Sequence, residues 1–81
     1  MAKTGAKHIE LVQWLDPHTE MDWATGDNGT HPCTCFSVGR LISECSEFIV
    51  LAGDWDDGEE TNTRMVIIKG CIVSRTVIHS F

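Results

Sequence analysis

Five short runs of β-forming residues, each ended by turn formers, constrain the fold of this chain more than any other feature. The runs cover residues 8–14, 33–43, 48–52, 64–69 and 72–79. No window of about 11 residues keeps the ~3.6-residue period of an amphipathic helix. The sequence therefore predicts an all-β fold.

Two of the runs indicate the shape of the sheet as well as the presence of a strand. In the first run, Ile9 and Leu11 fall on one face and Glu10 on the other, and Asp16-Pro17 ends the strand. The second run contains Gly39, the residue type found where a barrel strand bends sharply. Residues 69–71 separate the last two runs by the length of a single 3₁₀ turn.

Chain length narrows the architecture further. The chain has 81 residues and a mass of 9.0 kDa, which is too small for two full sheets or for a deep multi-subsite active centre. A strongly bent five-stranded sheet that closes on itself leaves few edges and encloses one core. We therefore predict a small β-barrel at residues 8–81, preceded by a flexible tail at residues 1–7.

The charge balance limits the classes of partner. Twelve acidic and six basic residues give a net charge of −6, and such a chain repels the phosphate backbone of bulk nucleic acid. The basic residues near the N-terminus precede no apolar run, and no stretch is long enough to span a membrane. These features predict a cytoplasmic protein.

The four cysteines are expected to be free and buried, as is usual in a reducing cytoplasm. Zinc would need Cys33 and Cys35 to join His31 with His18, Cys45 or Cys71 as a further ligand. In a strand, however, Cys33 and Cys35 place their side chains roughly 6.5–7 Å apart on one face, which suits a shared ion poorly. The sequence therefore predicts no metal site.

Calcium binding and catalysis are also not expected. Asp54 and Asp56 begin like a calcium loop, but Gly58 and Met65 fall where a calcium-binding loop needs other residues. The four histidines occur singly, and no nucleophile motif or phosphate-cradling loop is present. We expect a protein without cofactor that is not an enzyme.

Several motifs along the chain resemble a family of small uncharacterised proteins of tailed bacteriophages. They are Trp14-x-Asp16, Trp23, Cys35-x-Ser37-Val38-Gly39-x-Leu41, Ile49-x-Leu51-Ala52 and Met65-x-Ile67-Ile68-Lys69-x-x-Ile72. Members of that family look like Sm-like or Src-homology-3-like barrels, in which a 3₁₀ turn precedes the last strand. The resemblance implies a phage accessory protein that acts in the host cytoplasm on host physiology or host defence.

Tryptophans and cations form the first candidate site, for a small anionic nucleotide such as an immune signal. Arginine and lysine bind phosphate, and tryptophan stacks on a base. We expect this ligand to be sequestered between subunits, because the edges of an open barrel pair with copies of themselves. The predicted ligand-binding residues are Trp23, Trp55, Arg40, Arg64, Lys69 and Arg75.

Acidic residues form the alternative site, where the chain would bind and inhibit a basic host protein, with imitation of nucleic acid as one way to do so. The predicted residues are Asp54, Asp56, Asp57, Glu59 and Glu60, with Asp16, Glu20 and Asp22 on the same acidic face. A third alternative is an Sm-like structural or RNA-binding barrel. The net charge favours this one least.

Overall fold

The computed structural model describes residues 8–17, 23–26 and 29–81. The predicted tail at residues 1–7 lies outside these ranges. The strands are β1 His8–Asp16, β2 Cys33–Glu44, β3 Phe48–Trp55, β4 Thr61–Ile68 and β5 Ile72–Ser80, and a 3₁₀ turn spans Lys69–Cys71. The prediction of an all-β fold with five strands and one 3₁₀ turn is confirmed. Within the described ranges, no helix is long and apolar enough to cross a membrane.

The strands form one antiparallel sheet in the order β4-β3-β2-β1-β5. The predicted closure into a barrel is wrong at the level of backbone pairing, because β4 and β5 are opposite edges of an open sheet. Both edges are irregular: β5 has two register shifts against β1, and Thr63 in β4 has a φ of 54°. Such irregularities interrupt the even spacing of N–H and C=O groups that a ladder needs.

The open sheet is nevertheless strongly curled. Ile72 and Cys35 both pair with Trp14, so Ile72 is level with the start of β2. Ile68 pairs with Phe48 at the start of β3, so it is level with the other end of β2, near Glu44. A straight β2 would separate those levels by about 30 Å. The four backbone steps from Ile68 to Ile72 span at most about 15 Å. The strand must therefore bend back on itself.

Gly39, where the sequence predicts the bend, lies in the middle of β2, near the irregular pairing of β2 with β3 between Leu41 and Ser43. A Cβ atom at this buried position would stand 2.9 Å from Leu51 Cβ and 2.9 Å from the carbonyl oxygen of Ala52. Across the curled interior, the Ser37 hydroxyl of β2 lies 3.4 Å from Met65 Sδ of β4, although β3 separates these strands in the sheet. The absence of a side chain at Gly39 lets β2 approach β3 closely.

The core joins the two halves of the curled sheet. Its buried cluster contains Val12 of β1 and three residues of β3 and β4, with Trp14, Leu41 and Ile72 packed around it. Complete burial of such side chains contributes about 1.5–3 kcal/mol each. The predicted alternation in β1 is present, but the face that turns to the core is the one with Glu10 and Val12, and Ile9 and Leu11 face outward. The buried cluster residues from β3 and β4 are Ile49, Leu51 and Ile67.

Candidate functional site

The carboxylate of Glu10 lies inside the curled sheet, and the side chains of Arg75 and His8 point towards it. Glu10 is only 2% exposed. Arg75 is directly opposite Val12 in the β1–β5 ladder, so its side chain shares the inner face with Glu10. Its Nε donates to Glu10 Oε1 at 2.6 Å and its Nη2 to Oε2 at 2.7 Å, and His8 Nε2 lies 2.7 Å from Oε2. This bidentate pair stabilises a charge that burial alone would disfavour.

Glu44 at the end of β2 completes the network. Arg75 donates to it from Nη1 at 2.9 Å and from Nη2 at 3.0 Å, and Lys69 Nζ lies 2.6 Å from its Oε2. Hydrogen bonds from Arg75 and then Lys69 lower the pKa of Glu44 to about 2. The hydrogen bond from Arg75 also lowers the pKa of Glu10 against the opposing effect of burial, and the two carboxylates raise the pKa of Arg75.

We call these residues, namely Glu10, Glu44, Lys69 and Arg75, the ion-pair cluster. It connects β1, β2, the 3₁₀ turn and β5. Two of the cations predicted to bind a ligand, Lys69 and Arg75, thus already have carboxylate partners. Their hydrogen bonds hold parts of the sheet together.

The other two predicted cations share the opposite, outer face of the sheet. Arg40 is directly opposite Ala52, and Ala52 is directly opposite Arg64 in the next strand. Residues opposite one another in a ladder share a face, and two strand spacings put Arg40 and Arg64 roughly 10 Å apart at Cα. Arg64 is exposed, and the small Ala52 lies between the two cations.

Arg40 also contacts an aromatic group that joins β3 to the end of the chain. Its Cζ lies 5.4 Å from the ring centre of Trp55 and 4.6 Å from that of Phe81. Trp55 and Phe81 meet edge to face at 6.0 Å, and His79 contacts Phe81 at 4.9 Å. The sequence predicted Arg40 and Trp55 but missed Phe81 and His79, because nothing local in the sequence indicates that the last residues reach the end of β3.

Beside Trp55 is a cleft of about 370 Å³ between the end of β3 and the start of β4. We call it the acidic cleft. Three carboxylates line it, together with a half-exposed tryptophan and two polar side chains. Its lining residues are Asp54, Trp55, Asp56, Glu60, Thr61 and Asn62. Of the five predicted acidic residues, the structure brings Asp54, Asp56 and Glu60 together here, whereas Asp57 and Glu59 are exposed at the tip of the hairpin.

Backbone hydrogen bonds fix the hairpin that forms the acidic cleft. Asp56 Oδ1 accepts from the amides of Gly58 at 2.9 Å and Glu60 at 2.8 Å, as an aspartate does in a tight turn. Asp54 Oδ2 accepts from the hydroxyl of Thr63 at 2.7 Å. Thr63 has a φ of 54°, an uncommon conformation for a β-branched residue, and this hydrogen bond helps to hold it.

The three carboxylates of the acidic cleft have no cationic partner within residues 8–17, 23–26 and 29–81. The ion pairs there all involve Glu10 or Glu44. None of the described residues that line the acidic cleft is a cation, but Arg40 lies at its border, with Cζ 5.4 Å from the ring centre of Trp55. The three carboxylates of the acidic cleft can still accept a cationic group, beside a Trp55 ring that already contacts Arg40 and Phe81.

The remaining predicted residues lie apart from these two groups or outside the described ranges. Trp23 is fully exposed, and Asp16 is exposed at the end of β1. Glu20, Asp22 and His18 are not among the residues that the structure describes. Nothing brings Trp23 to the acidic cleft in the contacts of the described chain.

The expectation of buried cysteines is wrong. Cys33 and Cys45 are exposed, Cys35 and Cys71 are partly buried, and all four are free. Cys33 and Cys35 lie at the start of β2, where few residues cover them. Cys45 lies in the β2–β3 turn. In the part of the chain that the structure describes, no three His, Cys, Asp or Glu side chains gather to hold a metal ion.

Comparison of the chain with protein-family models, with curated proteins and with solved structures found no match.

Proposed function

We propose that this chain is a non-enzymatic binding protein whose acidic cleft receives a cationic side chain of a partner protein. The observation that supports this most directly is the lining of the acidic cleft, in which Asp54, Asp56 and Glu60 surround a space beside Trp55. Acidic groups that make no ion pair attract a basic surface over a distance and select against other partners. A tryptophan next to them supplies the apolar contact that frequently dominates binding energy.

A phosphate-bearing ligand fits the same place poorly. Three carboxylates would repel its charge, and the net charge of −6 opposes its approach. The proposed partner is therefore a basic protein surface. The resemblance to tailed-bacteriophage proteins supports a host protein in the bacterial cytoplasm as the partner, with inhibition of host defence as the outcome.

We also propose that the curled sheet is an Sm-like barrel closed by side chains rather than by backbone pairing. Two contacts support this. Glu44 of β2 binds Arg75 of β5, and Trp55 at the end of β3 meets Phe81 just after β5. The first contact joins β5 to the end of β2 that pairs with β3, and the second joins the end of the chain to β3 itself.

The test of the acidic cleft compares two adjacent glutamates. Glu60→Gln and Glu59→Gln each remove one negative charge, but only Glu60 lines the acidic cleft. Calorimetric titration with an octa-arginine peptide at low salt should show about fivefold weaker binding for Glu60→Gln, corresponding to ~1 kcal/mol. Glu59→Gln should bind nearly as well as the unaltered chain. Equal losses in the two variants would show that only net charge matters and would contradict the proposal.

The outer-face cations favour a second candidate function, sequestration of a small nucleotide. Arg40 and Arg64 flank Ala52 on one face, and Arg40 stacks on Trp55. The Cα atoms of the two arginines are about 10 Å apart, so their guanidinium groups can both bind one phosphate group that lies between them. An aromatic ring beside them can support a base.

Thermal-shift measurements with cyclic dinucleotides and ADP-ribose derivatives test this second function. A tight ligand should raise the melting temperature by several degrees. Arg64→Gln should abolish the shift, whereas the charge-matched Lys69→Gln, at a residue that pairs with Glu44 in the ion-pair cluster, should preserve it. If no nucleotide shifts the melting temperature while the octa-arginine peptide still binds, the second function is excluded and the first is supported.

A further inference from the structure

Two thiols lie side by side at the start of β2, and neither of them lines the acidic cleft. Cys33 and Cys35 are two residues apart in the strand, so their side chains share one face of the sheet. Partial burial and a hydrogen bond with the Cys33 thiol raise the pKa of the Cys35 thiol, so the two thiols are in contact. Both cysteines are free, and Cys33 is exposed. We call Cys33 and Cys35 the thiol pair.

The thiol pair is poorly placed to form a disulfide. Cβ atoms two residues apart in a strand are separated by roughly 6.5–7 Å, whereas a disulfide needs a Cβ–Cβ distance of about 3.5–4.5 Å. Regular pairing holds Cys33 opposite Asp16 and Cys35 opposite Trp14. The backbone of β2 would have to leave this ladder before the two sulfurs could bond.

The same spacing suits an ion held between the two sulfurs. A metal–sulfur bond measures about 2.3 Å, so an ion on the line between two thiolates separates the sulfurs by ~4.6 Å. From Cβ atoms roughly 6.5–7 Å apart, each sulfur needs to lean only about 1 Å towards the other. Linear coordination by two thiolates is typical of Cu(I), a soft ion that prefers sulfur ligands.

The number of donors decides among the metals that thiolates bind. Structural zinc sites and iron–sulfur clusters are each closed by four ligands. Within residues 8–17, 23–26 and 29–81, no third His, Cys, Asp or Glu side chain joins the thiol pair in a metal-binding group. The other two cysteines lie elsewhere, Cys45 in the β2–β3 turn and Cys71 in the 3₁₀ turn. A pair of thiolates therefore satisfies Cu(I) but not zinc.

The neighbours of the thiol pair on β1 favour a bound cation. Asp16 is directly opposite Cys33, and its negative charge acts on Cys35. A carboxylate at this distance attracts a cation to the site. Trp14 is directly opposite Cys35 and shares its face, so apolar surface lies beside one of the two sulfurs. The exposed side of Cys33 leaves a path by which an ion can enter.

We infer that the thiol pair binds one Cu(I) ion per chain, with the Sγ atoms of Cys33 and Cys35 as its two ligands. Binding forms two copper–sulfur bonds, and each thiol releases its proton to the solvent. No electron is transferred, and the copper stays monovalent. The inference does not depend on the acidic cleft, whose carboxylates are oxygen donors that suit harder ions.

An anaerobic titration in which the chain competes with bicinchoninate for Cu(I) tests the inference. The unaltered chain should remove one Cu(I) per chain from the coloured chelate. Cys33→Ser and Cys35→Ser should each weaken binding by about a hundredfold or more, because the second thiolate acts as an intramolecular ligand. Cys45→Ser is the matched control, since it removes an exposed thiol outside the pair, and its affinity should be nearly unchanged.

Four results would overturn the inference: no uptake of Cu(I), one ion shared by two chains, equal losses of affinity in Cys33→Ser and Cys45→Ser, or uptake of zinc as tight as that of Cu(I). Circular dichroism must show unchanged strand content in each variant. If Cys35→Ser does not fold, Cys33→Ser decides the question, because Cys33 is exposed and its replacement leaves the core intact.

Discussion

The ion-pair cluster and the acidic cleft use the same type of side chain in opposite ways. In the ion-pair cluster, Glu10 and Glu44 share Arg75 through short hydrogen bonds, and Glu44 also pairs with Lys69. In the acidic cleft, Asp54 and Asp56 bond only to backbone amides and to a hydroxyl, and Glu60 lines open space. One group of acids holds strands together, and the other presents unbalanced charge to the solvent.

This difference shows that the net charge of the chain does not indicate which of its acidic residues form a binding surface. The chain has few cations, and the fold directs two of them inward to neutralise Glu10 and Glu44. The concentration of negative charge at the β3–β4 hairpin is partly a consequence of that arrangement. Substitutions in the ion-pair cluster should therefore change stability, whereas substitutions in the acidic cleft should change binding.

The largest expected effect is that of Arg75→Met. The substitution leaves the buried Glu10 without its bidentate partner and removes two hydrogen bonds from Glu44. Breaking a largely buried ion pair costs about 3 kcal/mol of unfolding free energy. Urea denaturation should measure this loss. Arg64→Met is the matched control on the exposed face, and its change should stay within about 0.5 kcal/mol.

The next effect concerns the bend that makes the ion-pair cluster possible. Gly39→Ala places a methyl group 2.9 Å from Leu51 Cβ and 2.9 Å from the carbonyl oxygen of Ala52, so backbone must move. We expect a loss of about 2 kcal/mol. Gly70→Ala meets nothing within 4 Å and should be almost neutral in the same urea experiment. Equal effects at the two glycines would contradict the role given to the bend.

The pH dependence of stability should separate Glu44 from the acids of the acidic cleft. The pKa of Glu44 falls from 4.5 to about 2 on folding, so its stabilisation is complete above the unfolded pKa. This stabilisation is lost as the pH drops from about 4.5 through 2. Because Glu44 is partly exposed, solvent screening limits its contribution to roughly 1 kcal/mol.

Denaturation curves at pH 7 and pH 3 measure this contribution. Glu44→Gln should lose about 1 kcal/mol at pH 7 and depend less on pH than the unaltered chain. The lowered pKa of Glu10 should leave part of the acid sensitivity in place. A Glu44→Gln variant with undiminished pH dependence would contradict the assignment of Glu44 to the ion-pair cluster.

The smallest expected change in stability belongs to Glu60→Gln. Its side chain lines the acidic cleft, and its amide, which the substitution keeps, bonds to Asp56. Urea denaturation should place its unfolding free energy within about 0.5 kcal/mol of the unaltered chain. A loss comparable to that of Arg75→Met would mean that the acidic cleft is part of the structural framework.

Local patterns in the sequence predicted much of the fold. Alternation and turn formers located all five strands, and a glycine within a β-rich run singled out Gly39, where β2 comes close to β3. The predicted ends of the strands were less accurate: β3 extends to Trp55 and β4 begins at Thr61, inside the stretch between the predicted runs at residues 48–52 and 64–69. That stretch consists of polar residues whose pairing depends on hydrogen bonds made within the folded hairpin.

The charged sites could be predicted only in part. Asp54, Asp56, Glu60 and Trp55 are close in sequence, so a single hairpin brings them together. The pairing of Glu10 with Arg75 joins residues at opposite ends of the chain, and no local pattern distinguishes an inward arginine from a solvent-exposed one. Sequence reasoning could therefore identify the cations but not the two that the fold would direct inward.

The most direct test of the division between structural and binding acids is a side-by-side titration of Glu44→Gln and Glu60→Gln with the octa-arginine peptide. Both variants lose one negative charge, so any difference reports where that charge was located. We predict affinity within about twofold of the unaltered chain for Glu44→Gln and about fivefold weaker binding for Glu60→Gln. Equal affinities of the two variants, or weaker binding by Glu44→Gln, would contradict this account.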